Sequence, residues 1–399
     1  MPAASRFPVE LVERSMNTLD VTDFARAASV FRLSASDDFA VWLSVALDRI
    51  YKVVDLSVPM KPITWTRLQT SVSICPQNWQ LVDDLRIGWT DMYFDGRGFP
   101  TAARAATLYP EIVACCTRLK NLDVSITVPG GMGASDMQRL PFSLLSRTLP
   151  RECAFRLERF SAEGWASYPL SAPFLQLHTS TLTHIEMNHY GAWPLTSVHP
   201  LHFAILSGWQ GQMCALSWIG SAPRLIDITL DVGTEGGSDT TELAYHIHRL
   251  DLHLIKLHLD LDMPRGRNVD IGLLSLIAST CPLLEVLSLQ SMSEVIPPWV
   301  NSWTHQTHRE GNMSTVCDVL RKLGRLRDVG YHYGLPHEKD EEVCWIRKIE
   351  AGCVDLVRCT FKNSALEYRE GGSANINGWR KGVDGEWNCI VKTWPWRED

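Results

Sequence analysis

One six-residue pattern constrains this chain more than any other: an apolar residue, two others, an apolar residue, one other, an apolar residue. It occurs nine times, starting at Val82, Leu119, Leu157, Leu182, Leu225, Leu254, Leu284, Leu326 and Leu356, with the Leu157 copy (LERFSA) irregular. Alternation of apolar and polar positions over so short a run is the period of a strand buried on one face. Most copies follow a helical stretch, as in DIGLLSLIASTCPLLEVLSL and EVCWIRKIEAGCVDLVRCTF. A single strand and helix cannot bury both their apolar faces. Stacked copies can, with parallel strands on one side and helices on the other. Successive starts lie 25 to 43 residues apart, so insertions must loop out between copies. Strand and helix also alternate in a doubly wound domain, but that fold needs a phosphate-cradling glycine turn after an early strand, and the sequence offers none.

Composition narrows the setting. Of 399 residues, 45% are hydrophobic and 21% charged, and no apolar run approaches the length of a membrane span. Glu10, Glu13, Arg14 and Asp20 break any signal-peptide core, so the expected compartment is cytoplasm or nucleus. Eleven scattered cysteines, several within apolar patterns (Cys115, Cys116, Cys281, Cys359), read as reduced thiols packed as small hydrophobes. A net charge of −7 without a lysine- and arginine-rich run argues against nucleic acid as a partner.

Ahead of the repeats, Val9, Val12, Met16 and Leu19 are spaced for one face of a helix that Pro8 can open. Val21, Phe24, Ala28 and Phe31 repeat the spacing after Asp20 or Thr22 as a cap, and Phe39, Trp42, Leu43, Ala46, Leu47 and Ile50 do so again after Ser36 and Asp37. Three such short helices bury too little surface to stand alone, so they must lean on the rest of the chain or on a partner. Pro8, Glu10-Leu11-Val12, Leu19, Asp23-Phe24-Ala25-Arg26 and Val30, with Trp42 beyond, resemble the F-box pattern. The resemblance implies docking onto a Skp-type adaptor, and through it a cullin, by Pro8, Leu11, Val12, Leu19 and Phe24. The other reading of these helices is a cap on the open end of the repeat stack.

The repeats, with their Cys-Pro-x-Leu start at Cys281, resemble the divergent leucine-rich repeats of fungal-type F-box proteins, although their mean spacing exceeds the usual ~20–29 residues. The expected fold class is therefore α/β: a three-helix F-box-like module over 1–52, a linker leading into the repeats over 53–80, an irregular leucine-rich-repeat-like solenoid over 81–365, and an aromatic cap over 366–399. In the last segment Asp384-Gly385 is a hairpin signal, flanked by Trp379 and Trp387 with Trp394 and Trp396 beyond.

The chain carries no nucleophile elbow, Walker loop, zincin helix, paired cysteine knuckle or dinucleotide fingerprint. Gly130-Gly131-Met132-Gly133 lacks a following lysine and serine and reads as a loop. His246, His248, His253 and His258 form the densest histidine group, but His246 and His248 point apart on a helix, so no metal is expected. The expectation is a protein with no catalytic residue and no cofactor.

Residues between the apolar slots of each strand should face solvent. They include Asn121, Asp123, His184, Glu186, Asn188, Asp227, Thr229, Asp231, Lys256, His258 and Asp260 in the middle, with Asp328, His332, Arg358, Thr360 and Lys362 towards the end. Glu186, Asp227, Asp231, Lys256 and Asp260 are the expected partner-binding residues, with the carboxylates attracting a positively charged segment. The resemblance implies the substrate-recognition subunit of a Skp–cullin–F-box ubiquitin ligase; the alternative is a protein-binding scaffold not coupled to ubiquitination.

Overall fold

The computed structural model describes residues 40–57, 62–89, 100–126, 149, 152–164, 168–189, 199–232, 240–250, 252–261, 271–291, 314–333, 339–363 and 375–393. The first two expected helices lie outside these residues. The chain forms two compact units, Met1–Val198 and His199–Asp399, a division that falls inside the segment expected to be one repeat domain.

In the first unit, β1 (Val53–Leu56), β2 (Asp84–Trp89), β3 (Asn121–Ile126), β4 (Arg159–Gly164) and β5 (His184–His189) pair in sequence order, all parallel. Register is fixed by the apolar slots: Val54, Leu85, Leu122, Phe160 and Ile185 stand in one inward row, and Leu56, Ile87, Val124, Ala162 and Met187 in the next. A one-residue slip would turn both rows to solvent, so the pattern specifies the pairing. The irregular LERFSA copy is a strand like the others, with Phe160 and Ala162 buried.

The second unit opens with a two-stranded pairing of β6 (Leu201–His202) and β8 (Ile219–Ser221). Its main sheet runs through β7 (Gly208–Gln212), β9 (Asp227–Val232), β10 (Lys256–Leu261), β11 (Val286–Ser291), β12 (Asp328–Tyr333) and β13 (Arg358–Asn363), all parallel. The antiparallel hairpin of β14 (Asn375–Lys381) and β15 (Trp387–Thr393) completes it.

A recurrent hydrogen-bond device joins successive strands. Two consecutive N–H groups at most strand starts donate to one carbonyl of the preceding copy. Lys120 and Asn121 donate to Asp83 (2.8 and 3.0 Å), Ile255 and Lys256 to Ile226 (2.9 and 2.9 Å), and Val357 and Arg358 to Arg327 (2.9 and 3.0 Å). Just before most of these strands the chain turns tightly. The N–H of the first-slot residue returns to the carbonyl three residues earlier, as in Leu119 to Cys116, Leu284 to Cys281 and Leu356 to Cys353. That earlier position is buried against the neighbouring copies, which is why a small apolar thiol suits it. The Cys353 thiol donates to the Leu323 and Leu320 carbonyls at 3.2 and 3.4 Å, satisfying groups at the end of the previous helix. Burial raises the Cys116 thiol to about 12 and Cys353 to about 11, so both stay protonated. The described cysteines are all free.

Two copies of the pattern escape a leucine-only reading. Register places Val54 and Leu56 beside Leu85 and Ile87, so Tyr51 occupies the first slot of a copy inside the segment expected to be a linker. The helix Pro62–Ile74 follows it, with Trp65 buried against Tyr109 at a ring separation of 5.7 Å. Likewise Trp209 and Gly211 stand beside Ile228 and Leu230, so Leu206 starts a copy whose return segment is the 3-10 helix Met213–Trp218. The wide spacing between Leu182 and Leu225 thus contains a short repeat rather than an insertion.

The third expected helix forms as Ala40–Lys52 and runs directly into β1. Ala46 is fully buried, Tyr51 meets Trp79 edge-on at 5.9 Å, and Arg118 reaches Asp48 at 3.2 Å. This helix therefore packs on the first copies.

The C-terminal hairpin turns where expected. Gly385 has φ +83°, a left-handed conformation that glycine adopts without strain, and Asp384 Oδ1 accepts from the Glu386 N–H at 3.1 Å. Two indoles anchor the hairpin to the helix Lys339–Glu350: Trp379 Nε1 donates to the buried Glu342 at 2.5 Å and Trp387 Nε1 to Glu350 at 3.2 Å. Trp394 and Trp396 lie outside the described residues.

Candidate functional site

The solvent face of the second unit's sheet is the candidate site, because there the register aligns polar side chains in rows. The first row runs Asp227, Lys256, Val286, Asp328, Arg358 and, across the antiparallel pairing, Arg380. The next runs Thr229, His258, Ser288, Gly330, Thr360 and Gly378. These side chains project because the alternating slots are buried: Leu257, Leu287, Val329 and Cys359 are almost wholly inaccessible.

The expected acidic field takes a different form. Lys256 Nζ lies 3.4 Å from Asp227, and Arg358 Nε donates to Asp328 at 2.6 Å. The first row therefore sets opposite charges side by side at Asp227–Lys256 and at Asp328–Arg358, so Asp227 is matched by its neighbour. Asp231 and Asp260 are register partners on β9 and β10. Glu186 belongs to the first unit, where its register partner is Ser161 on β4. The five expected partner-binding residues thus divide between two units.

His258 sits half-buried in the second row. Burial lowers its pKa, opposed by the carboxylates of Asp227 and Asp328 and aided by Lys256. In the first unit Asp123 takes the corresponding central position, and burial raises its pKa against the hydrogen bond from Ser161 and the charge of Arg86.

At the hairpin end the face opens into a groove of about 350 Å³ lined by Asp328, Arg358, Thr360, Gly378, Arg380 and Ile390, among others. Gly330 and Gly378 flank Thr360 in register and contribute no side chain, which makes the face shallowest there. Arg380 was not among the expected partner-facing residues, because the hairpin interrupts the six-residue pattern. Its alternation with the buried Trp379 is the signal that places it on the open face.

Elsewhere, the histidine group does not converge. His246 is buried beside Tyr245 and Arg249, while His248 and His253 are exposed. Among the described residues no group of three or more His, Cys, Asp or Glu is arranged to hold a metal ion. Nor is any helix among them long and apolar enough to cross a membrane. Pro8, Leu11, Val12, Leu19 and Phe24 lie outside the described residues.

No family model matches the chain, and no curated protein does. Among solved structures it is similar to the leucine-rich repeat-containing protein LegL7 from Legionella pneumophila, at 12% identity and a TM-score of 0.38 over 80% of this chain and 88% of that one. The leucine-rich-repeat-like architecture is defined by the chain's own register: parallel strands carrying one apolar pattern, alternating with helices among the described residues.

Proposed function

We propose that this chain is a non-catalytic receptor that holds a target protein on the solvent face of its repeat sheets. The observation that carries the reading is the register itself. Buried alternate slots fix polar rows on a parallel sheet, and in the second unit those rows combine paired charges with small side chains. Such a surface suits an extended or gently curved protein segment, with charge complementarity setting orientation and encounter rate.

The F-box resemblance of residues 8–30 extends the proposal: the N-terminal segment docks a Skp-type adaptor, and the chain serves as the substrate-recognition subunit of a Skp–cullin–F-box ubiquitin ligase. Its contribution would be proximity and orientation, with the covalent steps left to its partners. The packing of the helix Ala40–Lys52 on the first repeats favours a second reading at that end, a scaffold whose N-terminal helices cap the stack.

Co-purification of the full chain with a Skp-type adaptor, beside Leu11→Asp, separates them. A carboxylate buried in an apolar contact costs several kcal/mol. Adaptor bound by the natural chain and lost in the variant supports ligase coupling; no adaptor bound by either leaves the uncoupled scaffold.

A further inference from the structure

The hairpin end of the second unit carries a charge arrangement that the repeat pattern does not require. Arg358 on β13 and Arg380 on β14 are direct register partners. The Lys381 N–H donates to the Val357 carbonyl at 3.0 Å, which makes Arg358 and Arg380 the non-hydrogen-bonded kind of antiparallel pair. In such pairs the side chains stand closest, with Cβ atoms about 4.5–5.5 Å apart, and like charges directly opposite are unfavourable. Asp328, next along the row, answers Arg358 through its Nε. The Arg380 side chain is exposed, and its guanidinium has no hydrogen-bond or ion-pair partner among the described residues. Of the two guanidinium groups lining the groove, Arg358 is held by Asp328 through Nε and Nη2, and Arg380 is left with no carboxylate of its own among the described residues.

The groove beside them is shaped for a chain rather than for a free ion. Its second row is Thr360, Gly378 and Ile390 in register across three strands. Gly378 contributes no side chain, Thr360 offers a hydroxyl, and Ile390, 43% exposed, gives an apolar wall. A guanidinium pair presents forked donors that match the oxygens of a carboxylate or phosphate.

We infer that this groove binds an extended segment of a partner protein and that Arg380, with Arg358, receives an anionic side chain of that segment beside an apolar residue packed on Ile390. This rests on the protein-binding reading above and names the chemistry of one of its contacts.

The test uses the full chain and its arginine Nε–Hε NMR signals. Three blocked hexapeptides are titrated: Gly-Gly-Leu-Glu-Gly-Gly, the same with phosphoserine for glutamate, and the same with glutamine. Inorganic phosphate is titrated alongside at matched ionic strength. Arg358 and Arg380 signals should shift together and saturate with the glutamate or phosphoserine peptide, whichever is tighter identifying the anion. The glutamine peptide should bind at least tenfold more weakly, and Arg380→Gln should weaken the anionic peptides at least tenfold. Arg67, on the helix Pro62–Ile74, should not move. Equal shifts with the glutamine peptide, no saturation, or binding of phosphate as tight as of either peptide overturns the assignment. Those outcomes remove this groove alone: the receptor reading fails only if a target protein, once found, stays bound when the other polar rows of the sheet are also reversed in charge, so the two failures are distinguishable.

Discussion

His178 shows how one polar residue is held in the interior and what that implies for solution behaviour. It is fully buried, stacked on Phe155 at 5.5 Å and met edge-on by Phe174 at 4.8 Å. Nδ1 accepts from the Leu157 N–H at 3.3 Å, so the ring proton resides on Nε2, 3.4 Å from the Cys153 sulfur. Burial, assisted by the charge of Arg156, lowers its pKa from 6.5 to about 4. The folded value lies below the unfolded one. The associated stability is therefore complete above pH 6.5 and is lost as pH falls through 4, because the unfolded chain takes up the proton first. Each tenfold difference in proton affinity between the folded and unfolded chain is worth about 1.4 kcal/mol, so the whole window amounts to about 3 kcal/mol. His178→Gln keeps an acceptor without a titrating ring. Urea unfolding between pH 7 and 5 should show the natural chain losing more stability than this variant; equal slopes would remove His178 as the cause.

At the scale of elements, the helix Lys339–Glu350 and the C-terminal hairpin are joined through two glutamate–indole hydrogen bonds, a coupling that can be measured as non-additivity. Trp379→Phe takes one donor from the buried Glu342, and Glu342→Leu leaves the Trp379 N–H in an apolar setting. Each single change should cost about 1–3 kcal/mol, whereas the double variant should cost clearly less than the sum. Additive losses in chemical unfolding would contradict the coupling. This hairpin was legible in the sequence because Asp-Gly between aromatic runs is a turn with a mechanism. Strands with an aliphatic first slot and apolar side chains in the other two were equally legible, including the irregular one at Leu157. What the pattern hid were the copies at Tyr51 and Leu206. In the first, an aromatic residue fills the leucine slot and the preceding helix enters the strand without a turn. In the second, the inward slots hold Trp209 and Gly211, and the return segment is too short for an α-helix. The partner-facing charges were legible in position but not in pairing. Register, not sequence spacing, brings Lys256 to Asp227 and Arg358 to Asp328, while Arg380 owes its place to an antiparallel strand that follows no repeat.

For the molecule as a whole, the consequence of a ladder is that stability is passed between neighbours. In the second unit β11 pairs only with β10 and β12, and the fully buried Leu287 stands between Leu257 and Val329 in register. Leu287→Ala removes apolar surface and leaves a cavity that the rigid register cannot close, at a cost of about 2–5 kcal/mol. In a structure built by nearest-neighbour stacking that cost falls first on the two adjoining copies. Hydrogen exchange followed by mass spectrometry should then show the largest loss of protection in Lys256–Leu261 and Asp328–Tyr333. Gly208–Gln212 and Trp387–Thr393, farther along the same sheet, should change least. A uniform loss across the unit would show instead that its strands open as one cooperative body. The distinction bears on function. A receptor face whose copies respond separately can lose one contact region and keep the others, so Leu287→Ala would disturb the rows around His258, Ser288 and Asp328 more than the hairpin edge of the sheet at Arg380.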